Sequence, residues 1–135
     1  YNLLGTIEKN TDAGIYGRLD KTEELFGKKE LVETAAKEEI VTGPAKMRCF
    51  LEDEVREFDI EVMKVYQETA EINKGMMIRV TDEELLEKTG GIIQGMSGSP
   101  ILQNGKLIGA VTHVFVMDST KGYGIFAETM LEQLK

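Results

Sequence analysis

The sequence predicts a mainly β protein with antiparallel strands and a helix at the C-terminus. Between residues 55 and 65, Phe58, Ile60 and Val62 alternate with acidic side chains, which is the period-two pattern of a half-buried antiparallel strand. Asn104-Gly105 separates two apolar segments and supplies the positive φ angles that a tight hairpin turn requires. Fourteen glycines against two prolines indicate many turns and short strands.

The remaining elements follow from the local patterns. Strands are predicted over residues 5–9, 14–19, 31–36, 45–51, 55–65, 76–80, 101–103 and 106–115. A short helix is predicted over residues 83–88, capped by Asp82 or Thr81, and a terminal helix over residues 127–134. Residues 20–30 are predicted to be a loop or one weak helical turn, and residues 118–124 a loop. No linker or repeat divides the chain, so residues 1–135 are interpreted as one domain.

The composition excludes several classes of function. A net charge of −8 without a basic cluster argues against nucleic acid as a partner. No apolar run approaches the roughly 20 residues that span a bilayer. Cys49 is the single cysteine, so no internal disulfide can form, and its strand-like surroundings predict a buried apolar side chain. One histidine and one cysteine far apart in the sequence make a poor metal site, so neither a metal nor a cofactor is expected.

The segment Gly95-Met96-Ser97-Gly98-Ser99-Pro100 has the composition of a nucleophile turn. Its glycines permit a tight bend that presents the Ser97 hydroxyl to a cleft. The same bend would direct the N–H groups of Gly95 and Ser97 toward one point, where they could hold the oxyanion of a tetrahedral intermediate. An ordinary tight turn is the alternative interpretation. The nucleophile elbow of α/β-hydrolases is disfavoured because a strand and hairpin follow instead of a helix.

The sequence from residue 89 to residue 116, which contains this turn, closely resembles the stage IV sporulation protein B peptidases of endospore-forming bacteria. Further similar segments are Ile7-Glu8-Lys9-Asn10-Thr11, Gly14-Ile15-Tyr16-Gly17, Gly43-Pro44-Ala45, Val80-Thr81-Asp82 and Thr120-Lys121-Gly122-Tyr123-Gly124. The resemblance implies a serine endopeptidase with trypsin-like barrels, of which this chain would hold one barrel and part of another. It also implies a protein or peptide substrate.

Members of that family carry a membrane anchor and a PDZ domain ahead of the peptidase domain, and they also process themselves. They cleave a regulatory protein in the space between mother cell and forespore. The resemblance therefore implies an extracytoplasmic signalling protease, attached to the membrane only through parts outside this chain.

The resemblance implies specific roles for two residues. Ser97 corresponds to the nucleophile, and Asp82 to the acidic residue that acts with it. Asp82 equally suits a cap for the helix at residues 83–88, and the two roles could coexist only if different carboxylate oxygens served them. The catalytic histidine of the family lies in a Gly-His stretch upstream, and no residue of this chain corresponds to it.

His113, the one histidine of the chain, is expected to line the substrate groove together with Thr112 and Val114. Strand alternation predicts that Val111, His113 and Phe115 share one face. Three roles remain open for His113: a structural or cleft-lining side chain, a substrate contact, or a substitute general base.

Two functions are compatible with the sequence. The first is a serine peptidase domain of which this chain is the C-terminal part, inactive alone for lack of the histidine. The second is a non-catalytic module that binds peptides or a partner with a peptidase-like barrel. An incomplete barrel would leave strand edges open, which predicts pairing between copies of the chain.

Overall fold

The computed structural model describes residues 5–19 and 32–134 of the chain. Its strands are β1 (Gly5–Thr11), β2 (Gly14–Leu19), β3 (Gly43–Leu51), β4 (Glu54–Val65), β5 (Met76–Val80), β6 (Pro100–Gln103), β7 (Lys106–Val114) and β8 (Lys121–Phe126). Its helices are α1 (Glu83–Thr89) and α2 (Ala127–Glu132). The predicted loop at residues 20–30 lies outside the described residues.

Six of the strands close into an antiparallel barrel in the order β3-β4-β5-β8-β7-β6. Strands β1 and β2 form a separate hairpin, and Ala13 at its turn packs against Ala110 and Ile125 of the barrel. The predicted fold class, an antiparallel barrel with a C-terminal helix, is confirmed. The six barrel strands close on one another within the described residues, and pairing between copies of the chain stays a prediction.

The barrel core follows the alternation seen in the sequence. Phe58, Ile60 and Val62 of β4 are at most 1% exposed, whereas the acidic residues between them lie on the outside. Strand β4 pairs with the whole of β3 from Glu54 to Val62, which confirms the predicted long hairpin. Cys49 on β3 is buried, as predicted, and this burial raises the pKa of its thiol.

Strand β8 is the main element that the sequence patterns miss, since residues 118–124 were expected to form a loop. The two glycines of Lys121-Gly122-Tyr123-Gly124 lower the strand propensity of the segment. In the fold, a Cβ at Gly122 would lie 2.4 Å from the carbonyl oxygen of His113. The neighbouring backbone therefore approaches closely at this position, and the barrel uses a glycine there.

The segment expected to form a strand at residues 31–36 also differs. Within its described part, Thr34 makes a single isolated bridge to Leu107, and a short 3₁₀ turn follows at Lys37–Glu39. Strand β3 begins at Gly43, two residues before its predicted start, and α2 ends at Glu132, two residues before its predicted end. No helix in the described part of the chain is both long and apolar enough to cross a bilayer.

Candidate active site

The loop between α1 and β6 presents Ser97 at the surface, between two glycines of positive φ. Gly95 has a φ of +98° and Gly98 a φ of +91°, in the region that side chains disfavour. The loop is fastened to β7, because the N–H of Gly98 donates to the carbonyl of Val111 at 2.7 Å. The bend predicted around Ser97 therefore has a defined backbone geometry, held by the barrel wall.

The Ser97 hydroxyl points at β7. Its Oγ donates to the carbonyl oxygen of Thr112 at 3.4 Å. A bulge lies at that point, because the pairing of β7 with β8 shifts register between Val111 and His113. A carbonyl oxygen orients the hydroxyl but cannot remove its proton, so this contact positions Ser97 without activating it.

Some backbone N–H groups around Ser97 donate hydrogen bonds within the described residues, and others do not. Three of those in residues 95–99 donate to backbone carbonyls, namely the N–H groups of Met96, Gly98 and Ser99. Within the part of the chain that the structure describes, those of Gly95 and Ser97 donate to no protein acceptor. The two N–H groups that the sequence predicts for oxyanion binding are thus the two in this loop without a protein acceptor among the described residues.

Asp82 lies at the start of α1 and uses both carboxylate oxygens there. Its Oδ1 accepts a hydrogen bond from the N–H of Leu85 at 3.2 Å, and its Oδ2 accepts one from the N–H of Asp59 at 3.0 Å. No hydrogen bond joins Asp82 to Ser97 among the described residues. The geometry thus matches the helix cap, and the structure does not bring Asp82 into contact with the candidate nucleophile.

His113 follows the bulge and is exposed. The extra residue at Thr112 breaks the alternation of β7, so Val111 is buried while His113 faces solvent. The prediction that Val111 and His113 share one face is therefore wrong. In the described part of the structure the imidazole makes no hydrogen bond to Ser97, whose hydroxyl donates to Thr112.

The three residues expected in the substrate groove are consecutive at the C-terminal end of β7, beginning with Thr112, whose carbonyl the Ser97 hydroxyl contacts. Thr112 is half-buried, and its hydroxyl lies 2.5 Å from the carbonyl oxygen of Asn73 and 3.2 Å from that of Tyr123. His113 and Val114 are exposed. Their strand pairs with β8 on one side, while the pairing with β6 on the other side ends at Ala110. Among residues 5–19 and 32–134, nothing pairs with this edge of β7 beyond the nucleophile loop, so an extended peptide could join it there.

Described residues of the barrel line cavities on its surface. One, of about 380 Å³, is lined by Ser97 together with residues of the β3–β4 hairpin. Another, of about 870 Å³, does not include Ser97, and ion-paired side chains form part of its lining. Lys46 is one of these, and its hydrogen bond with Asp59 raises the pKa of the Lys46 ammonium. Among the described residues, no group of three carboxylate, imidazole or thiol side chains could hold a metal ion.

The sequence patterns missed two features of the site. The bulge at Thr112 lies in Val111-Thr112-His113-Val114, where three of the four residues are β-branched and favour a regular strand, so no local signal indicates an interrupted ladder. The approach of the β3–β4 hairpin to Ser97 depends on closure of the barrel, so no local pattern could have indicated it.

Comparison with known proteins gives a family and a fold. The sequence matches the family model described as SpoIVB peptidase S55 over residues 1–131. No curated protein matches it significantly. The fold is similar to the active form of the Rv3671c protease from M. tuberculosis, with a TM-score of 0.63, 16% identity, and coverage of 96% of this chain and 56% of that chain.

The inactive form of the Rv3671c protease is similar to the same degree. Its TM-score is 0.61 at 15% identity, with coverage of 96% of this chain and 65% of that chain. The chain thus spans less than two thirds of these solved proteases, and at such low identity the similarity concerns the fold. The family assignment depends on the sequence match, which extends over nearly all of the chain and confirms the resemblance seen in the sequence. The chain belongs to the SpoIVB peptidase S55 family.

Proposed function

We propose that this chain carries the nucleophile and the oxyanion site of a serine endopeptidase. The observation that carries the proposal is the loop of residues 95–99, where the exposed Ser97 hydroxyl is accompanied by the two unused N–H groups of Gly95 and Ser97. Each such donor lowers the barrier of acyl transfer by about 3 kcal/mol when it meets the developing oxyanion.

The proposed reaction follows from these groups. A peptide joins the free edge of β7 along Thr112, His113 and Val114, which brings its scissile carbonyl to Ser97. The Ser97 oxygen attacks the carbonyl carbon, and the N–H groups of Gly95 and Ser97 bind the oxyanion. The hydroxyl proton passes to a base and then to the departing amine, and water later releases the acyl group from Ser97.

In this structure no imidazole of the described residues is hydrogen-bonded to Ser97 as a general base. His113 is the one imidazole of the chain, and it lies past the bulge without a hydrogen bond to Ser97. We therefore propose that the catalytic histidine comes from outside residues 1–135 and that this chain alone is inert. Asp82 is assigned to the start of α1, because both of its carboxylate oxygens accept hydrogen bonds from backbone N–H groups.

The biological setting is proposed from the family. Membership implies a sporulation context, and we propose that the substrate is a regulatory protein in the space between mother cell and forespore. Cleavage there would make the protein a signalling protease. A chain whose β7 edge binds peptides without cutting them remains the competing function, and the labelling experiment below separates the two.

Labelling with a fluorophosphonate tests the site directly, because only an activated serine reacts with this probe. The chain is labelled alone and also joined to the histidine-bearing Gly-His segment of a family member. We expect labelling in the joined protein, mapped by mass spectrometry to Ser97 and abolished by Ser97→Ala. Ser99→Ala, at the buried serine two residues away, is the matched control and should keep the label.

The outcomes separate the alternatives. No labelling of Ser97 in a folded joined protein would refute the peptidase and leave the binding module. Labelling of the chain alone that disappears in His113→Gln would refute an external base and make His113 the general base. Labelling of the chain alone that survives His113→Gln would refute both assignments of the base.

A further inference from the structure

The cavity of about 380 Å³ beside Ser97 has two walls of different chemistry. Residues 97–100 of the nucleophile loop and the start of β6 form one wall. Residues 48–50 and Val55, at the end of the β3–β4 hairpin, form the other. The hydroxyl that the proposed function uses is therefore part of the cavity, and any group that fills the cavity lies next to it.

The hairpin wall exposes two large apolar side chains. Phe50 is 67% exposed and Val55 is 69% exposed, and the register of β3 and β4 places them directly opposite each other. Apolar side chains placed together at the surface next to a cavity are typical of a binding surface. The nearest cation in this wall, Arg48, has its Nε 2.8 Å from Glu57 Oε2, so its charge is compensated.

The position of the cavity relative to β7 decides which part of a peptide it would meet. Ser97 contacts β7 through the carbonyl of Thr112, and the cavity lies between Ser97 and the β3–β4 hairpin. A peptide antiparallel to β7 runs toward Ser97 with its carboxyl end, since β7 runs away from Ser97 after Thr112. Its residues N-terminal to the scissile bond therefore lie on β7, and those beyond the bond continue toward the hairpin.

We propose that this cavity is a substrate subsite for an apolar side chain on the C-terminal side of the scissile bond, formed chiefly by Phe50 and Val55. The inference depends on the proposed function, because it takes Ser97 as the reacting residue. An extended chain advances about 3.4 Å per residue, so the first or second residue past the bond would reach the hairpin wall. The volume suits a side chain such as leucine or phenylalanine, and an acidic side chain there would lose hydration next to an Arg48 that is already paired with Glu57.

The test uses product-like peptides, which need no chemistry at Ser97. The ¹⁵N-labelled chain is titrated with Leu-Leu-Ala-amide and with Asp-Asp-Ala-amide, both with free amino termini so that both candidate positions are varied, and amide shifts are followed by NMR. We expect the leucine peptide to bind about tenfold more tightly, because a single well-buried apolar side chain gives discrimination of that order. Its shifts should centre on Phe50, Val55 and Ser97.

Variants make the assignment specific. Phe50→Ala and, as a near-isosteric second variant, Val55→Thr should each remove most of the preference for leucine. Ile15→Thr is the matched control, since Ile15 is a strand residue that is 64% exposed and does not line the cavity. Equal binding of the two peptides, shifts centred elsewhere, or a preference unchanged in both Phe50→Ala and Val55→Thr would overturn the proposal.

Failure of this inference can be distinguished from failure of the proposed function. If fluorophosphonate labels Ser97 in the joined protein but the peptides show no preference, the nucleophile stands and the subsite is refuted. If the leucine preference is found but Ser97 cannot be labelled, the cavity is a peptide-binding site and its catalytic context is refuted.

Discussion

Replacing Asp82 with alanine removes one side chain that accepts two backbone hydrogen bonds. Its Oδ1 accepts from Leu85 at 3.2 Å and its Oδ2 accepts from Asp59 at 3.0 Å. Loss of a helix N-cap costs about 1 kcal/mol. Loss of the second hydrogen bond costs about 1 kcal/mol more, toward the low end of the range because water can reach this exposed group. Asp82→Ala should therefore lower the free energy of unfolding by about 2 kcal/mol.

Asp82→Asn keeps one side-chain oxygen and replaces the other with an NH₂ group that cannot accept. It should lose about half as much stability, about 1 kcal/mol, because only one of the two N–H groups keeps its acceptor. Urea unfolding followed by circular dichroism measures both values, with Glu87→Ala on the exposed side of α1 as the control. If the free energy of unfolding of Asp82→Ala lies within about 0.5 kcal/mol of that of the parent chain, the capping role is refuted.

Three further predictions concern individual residues. Gly98→Ala places a side chain at a φ of +91° and should cost about 1–2 kcal/mol of stability while lowering the rate of Ser97 labelling; a variant that labels at the parent rate would refute the need for this bend. Cys49 should react with a thiol reagent only when the chain unfolds, because burial raises the pKa of its thiol, and rapid reaction of the native chain would contradict its burial. Hydrogen bonds from Arg56 and Lys88 lower the pKa of Glu84, so its stabilising contribution is present above the pKa of an unfolded glutamate and is lost as the pH falls through the lowered value. The free energy of unfolding, measured as a function of pH, should fall less steeply at acid pH in Glu84→Gln than in the parent chain. An unchanged pH dependence would contradict the ion pair.

Local patterns were enough to predict the elements that local chemistry determines. The alternation in β4 gave a strand whose inward residues form the core, and Asn104-Gly105 gave a hairpin turn with positive φ at both positions. Asp82 was one of two candidate caps, with a catalytic role as its alternative, and in the structure its side chain accepts the hydrogen bond of a helix cap from Leu85. These features depend on neighbours within a few residues, so the sequence carries their signal.

The features that were missed depend on contacts between distant segments. Strand β8 contains glycines because its backbone lies against β7, and that approach exists only in the closed barrel. The bulge at Thr112 lies where β7 pairs with β8 and, one residue earlier, accepts a hydrogen bond from the nucleophile loop. The exposed pair Phe50 and Val55 would pass as ordinary strand residues in the sequence, since only the fold brings them to Ser97.

The most direct test of the oxyanion site is an NMR measurement on the phosphonylated protein. The phosphonyl oxygen of the Ser97 adduct stands in for the oxyanion of the tetrahedral intermediate. The site predicts large downfield shifts of the Gly95 and Ser97 amide protons on adduct formation, because these two N–H groups gain an acceptor. The N–H groups of Met96 and Gly98 already donate to carbonyls and should move little. Shifts confined to Met96 and Gly98, with Gly95 and Ser97 unchanged, would contradict the proposed oxyanion site.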